Sequence, residues 1–175
     1  MRRRFAALVG GVVATALVYL SSEARAQSGS VQLVANFDQR FDCHRPFQVT
    51  NHPIRSEFKA TLKADKTATA TLTMRGVISS NTVPFEARLG GGAQSAPGGG
   101  TSQLRVMPGN RLRGIWDLPN NQIILDITAT GRTCKATVTI KLKPGHKEYS
   151  LYGGPRMYYC SKHTVLSSTC RSAND

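Results

Sequence analysis

Acidic side chains, aromatic rings and helical periodicity are all scarce in this chain, and the scarcities exclude several classes of function. Only 10 of the 175 residues are Asp or Glu, against 23 Lys and Arg. The acidic residues stand singly, so their spacing offers no carboxylate pair for acid–base chemistry. Metalloprotease, nucleophile-elbow and phosphate-loop motifs are also absent from the sequence. The sequence therefore predicts no cofactor and assigns no catalytic residue.

The first 26 residues have the three parts of a secretory signal peptide. Arginines at positions 2–4 precede an apolar run over residues 5–20, and Ala24-Arg25-Ala26 has the small residues that signal peptidase recognises. The apolar run is shorter than the roughly 20 residues that a membrane-spanning helix needs. We therefore expect an N-terminal signal helix that is cleaved after Ala26, a periplasmic or secreted protein, and no transmembrane anchor in the mature chain.

The remaining residues, 27–175, are expected to form a single disulfide-stapled β domain, because their number is typical of one domain. Removal of the signal takes away four arginines and one glutamate, which leaves 19 basic and nine acidic residues and a net charge of +10. Such an excess attracts anions and repels basic proteins. The charge indicates an anionic polymer or a phosphate group at a membrane surface as the partner.

The mature chain has four cysteines, and an exported chain meets an oxidising compartment in which cysteines pair. Because the C-x-x-C spacing of zinc sites is lacking, we predict two disulfides and no metal site. Three pairings are possible. We prefer Cys43 with Cys134 and Cys160 with Cys170, because the second pair would close a terminal hairpin.

Alternation of apolar and polar residues dominates the mature chain, and the period of a helix is absent. Short strands separated by frequent turns predict an all-β fold, either an antiparallel β-sandwich or a partly closed β-barrel built from hairpins. Strands are expected over residues 31–37, 58–64 and 68–74, the last two joined by a turn at 65–67.

Three segments are expected to be irregular or peripheral. Residues 43–54 contain two prolines and are expected to form a loop or a broken edge strand. Pro84 confines the strand 82–89 to an edge or a bulge. The glycine-rich residues 90–102 are expected to form a flexible loop.

The second half of the chain predicts four consecutive hairpins, an antiparallel meander. Gly131 suits a type II′ turn, because glycine accepts the positive φ of its first central position. The last turn would place Leu142 opposite Tyr149. The four predicted turns are residues 108–110, a turn that begins at Pro119-Asn120 and leads into Ile123, Gly131-Arg132, and residues 144–147.

The alternation that buries the apolar side chains of this meander places its basic side chains on the solvent-facing side. We expect Arg105 opposite Arg113, and both in a row with Thr128 and Lys135, with Asp126 diagonal to Lys135. Arginine pairs suit phosphate, sulfate or carboxylate, because the guanidinium group donates two parallel hydrogen bonds. The candidate anion-binding residues are Arg105, Arg111, Arg113, Lys135 and Lys141.

These residues favour an exported, non-enzymatic module that binds an acidic glycan, a phosphorylated glycolipid or a nucleic acid. Two alternatives remain open: a small exported hydrolase or transferase that uses His44 or His52, and a structural envelope accessory protein with no specific ligand. Four tyrosines between residues 149 and 159 suit either stacking on bases and sugars or packing at the end of the sheet. Trp116 is expected in the core.

Overall fold

The computed structural model describes residues 29–76, 80–87, 92–153 and 156–174, and every regular element within them is a β-strand. The expected signal segment, residues 1–26, lies outside the described residues. No helix in the described part of the chain is long and apolar enough to cross a membrane. The strands are β1 (Val31–Arg45), β2 (Val49–Leu62), β3 (Ala68–Gly76), β4 (Ser80–Ala87), β5 (Gln94–Ala96), β6 (Gly100–Met107), β7 (Arg111–Asp117), β8 (Asn121–Thr130), β9 (Thr133–Leu142), β10 (Tyr149–Gly153) and β11 (Arg156–Asn174).

These strands form one antiparallel sheet that nearly closes into a barrel. Hydrogen-bonded neighbours follow the order β4-β3-β2-β1-β11-β9-β8-β7-β6-β5, and β10 pairs with β11 beside this path. β4 also contacts β6, which brings the two ends of the sheet together. The predicted all-β antiparallel class is therefore confirmed, in a barrel-like form.

The barrel interior holds the apolar side chains of the alternating pattern. Trp116 is fully buried, as predicted, and Phe58 meets Phe85 edge-on with ring centroids 5.8 Å apart. Gly114 faces Phe58, and a Cβ at this glycine would lie 3.3 Å from Cε2 of the ring. The absent side chain therefore lets a ring from β2 pack against the backbone of β7 across the interior.

Three consecutive hairpins join β6 to β9 as predicted. Their turns are 108–110, Pro119-Asn120 and Gly131-Arg132. Gly131 has a φ of 60°, which the first central position of a type II′ turn requires. The lengths of these turns set which residues oppose each other across the four strands.

The predicted loop over residues 43–54 is wrong, because only residues 46–48 lie outside a strand, whereas the predicted edge is present at the start of β2. β1 continues to Arg45, and β2 begins at Val49. Pro53 lies within β2, at a position where the described pairing is with β1 alone, because the pairing with β3 begins at Ile54. A strand position with a neighbour on one side is where a sheet tolerates proline. The other proline-bearing strand, β4, lies at the end of the sheet order as predicted.

The fourth predicted hairpin is also wrong, because β10 pairs with β11 rather than with β9. Leu142 lies opposite Asn121, and Tyr149 lies opposite Cys160. Oδ1 of Asn121 accepts hydrogen bonds from the N–H and the hydroxyl of Ser150 at 2.6 and 2.9 Å. These bonds fix the start of β10 against the β7–β8 turn, and from there the chain continues along β11.

The glycine-rich segment 90–102 forms a hairpin in its described part, not the expected flexible loop. β5 and the start of β6 pair around the turn 97–99. The two glycines of this turn have φ values of 82° and 70°, which glycine adopts without the steric cost of a Cβ. The two glycines therefore allow a tight turn that reverses the chain direction between β5 and β6.

The protein has two disulfides, as predicted, but the preferred pairing is wrong. Cys43 bonds to Cys160, and Cys134 bonds to Cys170. Cys160 and Cys170 lie in the same strand, β11, and ten residues of strand span about 33 Å, far beyond the reach of a disulfide. The antiparallel pairing of β1 with β11 instead places Cys43 directly opposite Cys160.

Each disulfide is expected to stabilise the barrel by an amount that grows with the logarithm of the length of chain that it closes. Replacing Cys134 and Cys170 together by Ser should lower the free energy of unfolding by about 4 kcal/mol, and replacing Cys43 and Cys160 by about 5 kcal/mol. The sequence separations within the pairs are 36 and 117 residues. Urea unfolding under non-reducing conditions measures both values.

Peptide mapping checks the pairing itself. Trypsin separates all four cysteines, because a Lys or Arg lies between each neighbouring pair in the sequence. The non-reduced digest should contain the Cys43 peptide joined to the Cys160 peptide, and a Cys160–Cys170 link would contradict the described pairing.

Candidate anion-binding face

The five predicted anion-binding side chains all lie on the outer surface of the meander formed by β6 to β9. Leu104, Leu112 and Ala136, which alternate with them, point into the core and are buried. Arg113 is half-buried, and the other four are exposed. We call this surface the basic face, defined by Arg105, Arg111, Arg113, Lys135 and Lys141.

The order of residues across this face differs from the predicted row. Arg113 lies opposite Asp126, not in line with Thr128. The two-residue turn at Pro119-Asn120 explains the difference, because it sets β8 two residues away from the expected register and leaves the same side chains facing outward. The observed rows are Arg105–Arg113–Asp126–Thr137 and Met107–Arg111–Thr128–Lys135.

Asp126 neutralises Arg113. The Nε of Arg113 donates a hydrogen bond to Oδ1 at 2.6 Å, and Nη2 donates to Oδ2 at 3.1 Å. The hydrogen bond and the negative charge of Asp126 raise the pKa of Arg113. This arginine is therefore already engaged within the protein and offers little free charge to a ligand.

The other four basic residues of the face have no carboxylate partner among the described residues. The Nε of Arg105 donates to Oε1 of Gln103 at 3.1 Å, a neutral partner that leaves the positive charge uncompensated. Lys141 lies six residues from Lys135 along β9, about 20 Å away. Arg105 and Arg111 are diagonal neighbours on β6 and β7, and Lys135 lies in the row of Arg111, two strands away or about 10 Å. We call Arg105, Arg111 and Lys135 the basic cluster, and Lys141 lies outside it.

An apolar cavity of about 260 Å³ lies beside the basic cluster. The β2–β3 turn and the β6–β7 turn bound it, and Met107 in its wall lies directly opposite Arg111 of the basic cluster. Sequence reasoning missed this cavity, because its walls come from two turns that are far apart in the chain. The lining residues are Leu62, Lys66, Val106, Met107, Pro108, Gly109 and Asn110.

Further basic residues surround this end of the barrel. Lys66 lines the cavity, Arg132 lies in the β8–β9 turn, and Arg171 lies where β11 meets β9. Asp65 is engaged locally, since its Oδ1 accepts hydrogen bonds from the hydroxyl and the N–H of Thr67 at 2.6 and 2.9 Å. These bonds lower the pKa of Asp65. Asp65 therefore stays ionised, and its negative charge offsets one of the three basic residues at this end of the barrel.

The two histidines of the enzymatic alternative do not share a site. The Nε2 of His44 lies 3.0 Å from Oε1 of Glu148, and Arg45 donates to the other carboxylate oxygen at 2.6 Å. Arg45 first and then His44 lower the pKa of Glu148. His52 is buried, and burial lowers its pKa. Within the described ranges no group of three or more His, Cys, Asp or Glu residues is placed to hold a metal ion.

The C-terminal tyrosines are mostly engaged in packing. Tyr158 is buried in the core, and Tyr149, Tyr152 and Tyr159 are half-buried. The guanidinium carbon of Arg45 lies 4.6 Å from the centroid of the Tyr159 ring. These rings therefore do not form an open platform on which bases or sugars stack.

A chain of polar side chains that sequence reasoning missed crosses the interior between β11, β1 and β2. The Nε2 of Gln39 donates to the hydroxyl of Ser56 at 2.8 Å, and Nε2 of His163 lies 2.9 Å from Oε1 of Gln39. Because the amide nitrogen of Gln39 is the donor to Ser56, its oxygen accepts the proton on Nε2 of His163. Burial lowers the pKa of His163 to about 4, so the ring is neutral near pH 7.

No protein-family model matches this chain, and no curated protein or solved structure is significantly similar to it. The function therefore has to be argued from the geometry of the described residues.

The lowered pKa of His163 predicts a specific dependence of stability on pH. The unfolded chain takes up a proton at His163 near pH 6.5, whereas the folded chain does so only near pH 4. The unfolded state therefore binds more protons between these values, and the free energy of unfolding falls as the pH is lowered from about 6.5 to 4. His163→Gln, which keeps a side-chain donor, should make this fall shallower.

Urea unfolding at several pH values measures the effect. His52 contributes in the same direction in both proteins, because burial lowers its pKa as well. Equal pH slopes for the wild type and His163→Gln would contradict the prediction.

Proposed function

We propose that this protein is an exported, non-enzymatic binding module whose basic cluster recognises a phosphorylated glycolipid. One observation carries the proposal: Arg105, Arg111 and Lys135 have no carboxylate partner among the described residues, and they lie beside an apolar cavity. The positive charges can bind a phosphate group, and the cavity can bury an apolar chain that is attached to it.

The positive charges on this face favour a bound anion. Arg105 and Arg113 are directly opposed across two strands, and a like-charged pair of this kind costs about 0.2–1 kcal/mol. Asp126 relieves the repulsion at Arg113 only. A phosphate between Arg105 and Arg111 would relieve the rest, because each guanidinium group donates paired hydrogen bonds to oxygen anions.

The cavity favours the glycolipid among the three anionic partners. A glycolipid has an acyl chain that gains about 25 cal/mol for each Å² of apolar surface taken out of water, whereas an acidic glycan and a nucleic acid have no such chain. Nucleic acid binding also uses stacked aromatic rings, and the tyrosines here are buried or half-buried. A volume of about 260 Å³ suits the end of one acyl chain rather than a whole lipid.

Export belongs to the same proposal. We infer that residues 1–26 act as a signal peptide and are cleaved after Ala26, and that the mature chain is periplasmic or secreted. The two disulfides support this inference, because disulfides persist in oxidising compartments. Phosphorylated glycolipids at a membrane surface are accessible to a protein in such a compartment.

Removal of two charges from the basic cluster tests the site. Arg105→Ala with Arg111→Ala should weaken binding to vesicles that contain a phosphorylated glucosamine lipid at least about tenfold, because charge-assisted hydrogen bonds contribute about 1.5–3 kcal/mol each. Binding should also weaken with salt. Co-sedimentation with the vesicles measures the affinity, and phosphatidylcholine vesicles give the uncharged baseline.

The matched control is Lys141→Ala with Lys147→Ala, which removes the same charge from exposed positions outside the basic cluster. An equal loss in both double variants would show that net charge alone drives binding and would overturn the site. Heparin, an anion without an acyl chain, separates the contribution of the cavity. Equally tight binding to heparin and to the glycolipid vesicles would contradict the role of the cavity.

The export proposal has its own measurement. When the full chain is expressed in a bacterium with a periplasm, the mature protein should appear in the periplasmic fraction with Gln27 as its first residue. Ala26→Leu should slow this cleavage, because signal peptidase requires a small residue at that position. Mass spectrometry of the intact protein decides the matter, and a cytoplasmic chain that retains residues 1–26 would contradict the proposal.

A further inference from the structure

The long strand β11 has an open edge in its middle. One of its sides pairs with β1 from Tyr159 to Asn174. Its other side pairs with β10 up to Cys160 and with β9 only at Arg171, opposite Thr133. The backbone of residues 161–170 therefore has no described partner on that side.

β9 has a matching open edge. It pairs with β8 along its whole length, and its only described pairing on the other side is at Thr133. Two open strand edges thus border one gap in the wall of the barrel. We call this gap the β9–β11 gap.

The disulfides hold the open part of β11 in place. Cys160, at one end of it, bonds to Cys43 of β1, and Cys170, at the other end, bonds to Cys134 of β9. The segment between them is anchored at both ends, so it remains extended although one side lacks a neighbour. An extended strand with free N–H and C=O groups is a template for a further strand.

The exposed surface of this segment is also apolar at its centre. Val165 is 39% exposed and Leu166 is 52% exposed, and they are two of the three large hydrophobic residues exposed in the described part of the chain. Asp38 pairs with Ser167 and Gln39 pairs with Val165, so Leu166 is the extra residue of a β-bulge. Apolar side chains and free backbone groups lie together here.

The positive charges beside the gap favour an acidic binding partner. β9 and β11 contain no Asp or Glu, and the basic residues Lys135, Lys141, Lys162 and Arg171 lie along the two strands. The strands next to β9 and β11 carry three carboxylates, and each is engaged: Asp126 of β8, opposite Thr137, pairs with Arg113, Asp38 of β1 accepts a hydrogen bond from Ser167, and Asp42 of β1 accepts one from the N–H of Asn51. A second copy of β11 would oppose like charges, which is unfavourable in a sheet.

We propose that the β9–β11 gap receives an acidic, extended segment of a partner protein, which adds to the sheet as a strand. Backbone hydrogen bonds to β11 supply the affinity, and carboxylates of the segment meet the lysines and arginine that border the gap. Val165 and Leu166 contact its apolar residues. This interaction uses different residues from the proposed glycolipid site, except for Lys135, and does not depend on it.

Three synthetic octapeptides test the proposal with the intact mature protein. An alternating Glu-Val peptide should bind and should protect from hydrogen exchange those amides of residues 161–169 that face the gap, about every second one, because the others already bond to β1. An alternating Glu-Pro peptide has the same charge but no N–H at every second residue, so it should bind at least about tenfold more weakly. A Lys-Val peptide should not bind. Fluorescence anisotropy gives the affinities.

A pair of variants locates the binding. Ser168→Glu places a negative charge on the open segment and should weaken binding of the Glu-Val peptide several-fold, whereas Ser95→Glu, with the same change of charge at an exposed position on β5, should not. Glycolipid binding should be equal in the two variants, which separates this proposal from the previous one. Equal binding of the Glu-Val and Glu-Pro peptides, or protection of β6–β8 amides instead of β11, would overturn the proposal.

Self-association is the remaining outcome to exclude. If the gap-facing amides of residues 161–169 become protected as the concentration of the free protein rises, and sedimentation shows a dimer, a second copy occupies the gap and the proposal is wrong. A protein that stays monomeric with these amides unprotected leaves the edge open for the acidic segment, as proposed.

Discussion

The attachment of β11 to β9 is the constraint on which the rest of the barrel depends. Two sets of strands, β4-β3-β2-β1-β11 and β9-β8-β7-β6-β5, meet at this junction. The junction consists of one described backbone pair, Arg171 with Thr133, a hydrogen bond from the hydroxyl of Ser172 to the carbonyl of Gly131, and the Cys134–Cys170 disulfide. At this junction a covalent bond holds the two strands together, whereas a full ladder of hydrogen bonds holds the other neighbouring strands together.

This short junction determines both surfaces proposed to bind. On the side of the turns it holds β9 close to β11, so Arg132, Lys135 and Arg171 lie at the same end of the barrel as the apolar cavity. Beyond the junction no pairing of the two strands is described, and residues 161–169 pair with β1 alone. A longer ladder between β9 and β11 would remove the open edge.

Sequence patterns predicted the faces of the strands well and their partners less well. Alternation places a side chain inside or outside whatever the register, so Trp116 is buried and Arg105 exposed as expected. The partner of Arg113 depends on the length of the Pro119-Asn120 turn, because a change of two residues in register keeps the face but changes the neighbour. Asp126 was expected diagonal to Lys135, and its direct pairing with Arg113 was missed for this reason.

Contacts between distant parts of the chain were beyond local patterns. The cysteine pairing required the knowledge that β11 runs straight for nineteen residues rather than turning back between Cys160 and Cys170. The start of β10 depends on Asn121, whose side chain acts far from its own position in the sequence. The cavity likewise has walls from two turns whose approach follows from closure of the barrel.

The apolar cavity separates the basic cluster from the other basic residues of the surface. The described ion pairs place Asp126 on Arg113, Asp117 on Lys143, and Glu148 on Arg45. Exposed pairs of this kind contribute little to stability, about 0–1 kcal/mol each, so the fold does not need them in particular places. Arg105, Arg111 and Lys135 share the lack of a carboxylate partner with most of the described basic residues. The neighbouring apolar cavity is what distinguishes them, and it is the reason for placing the proposed site there.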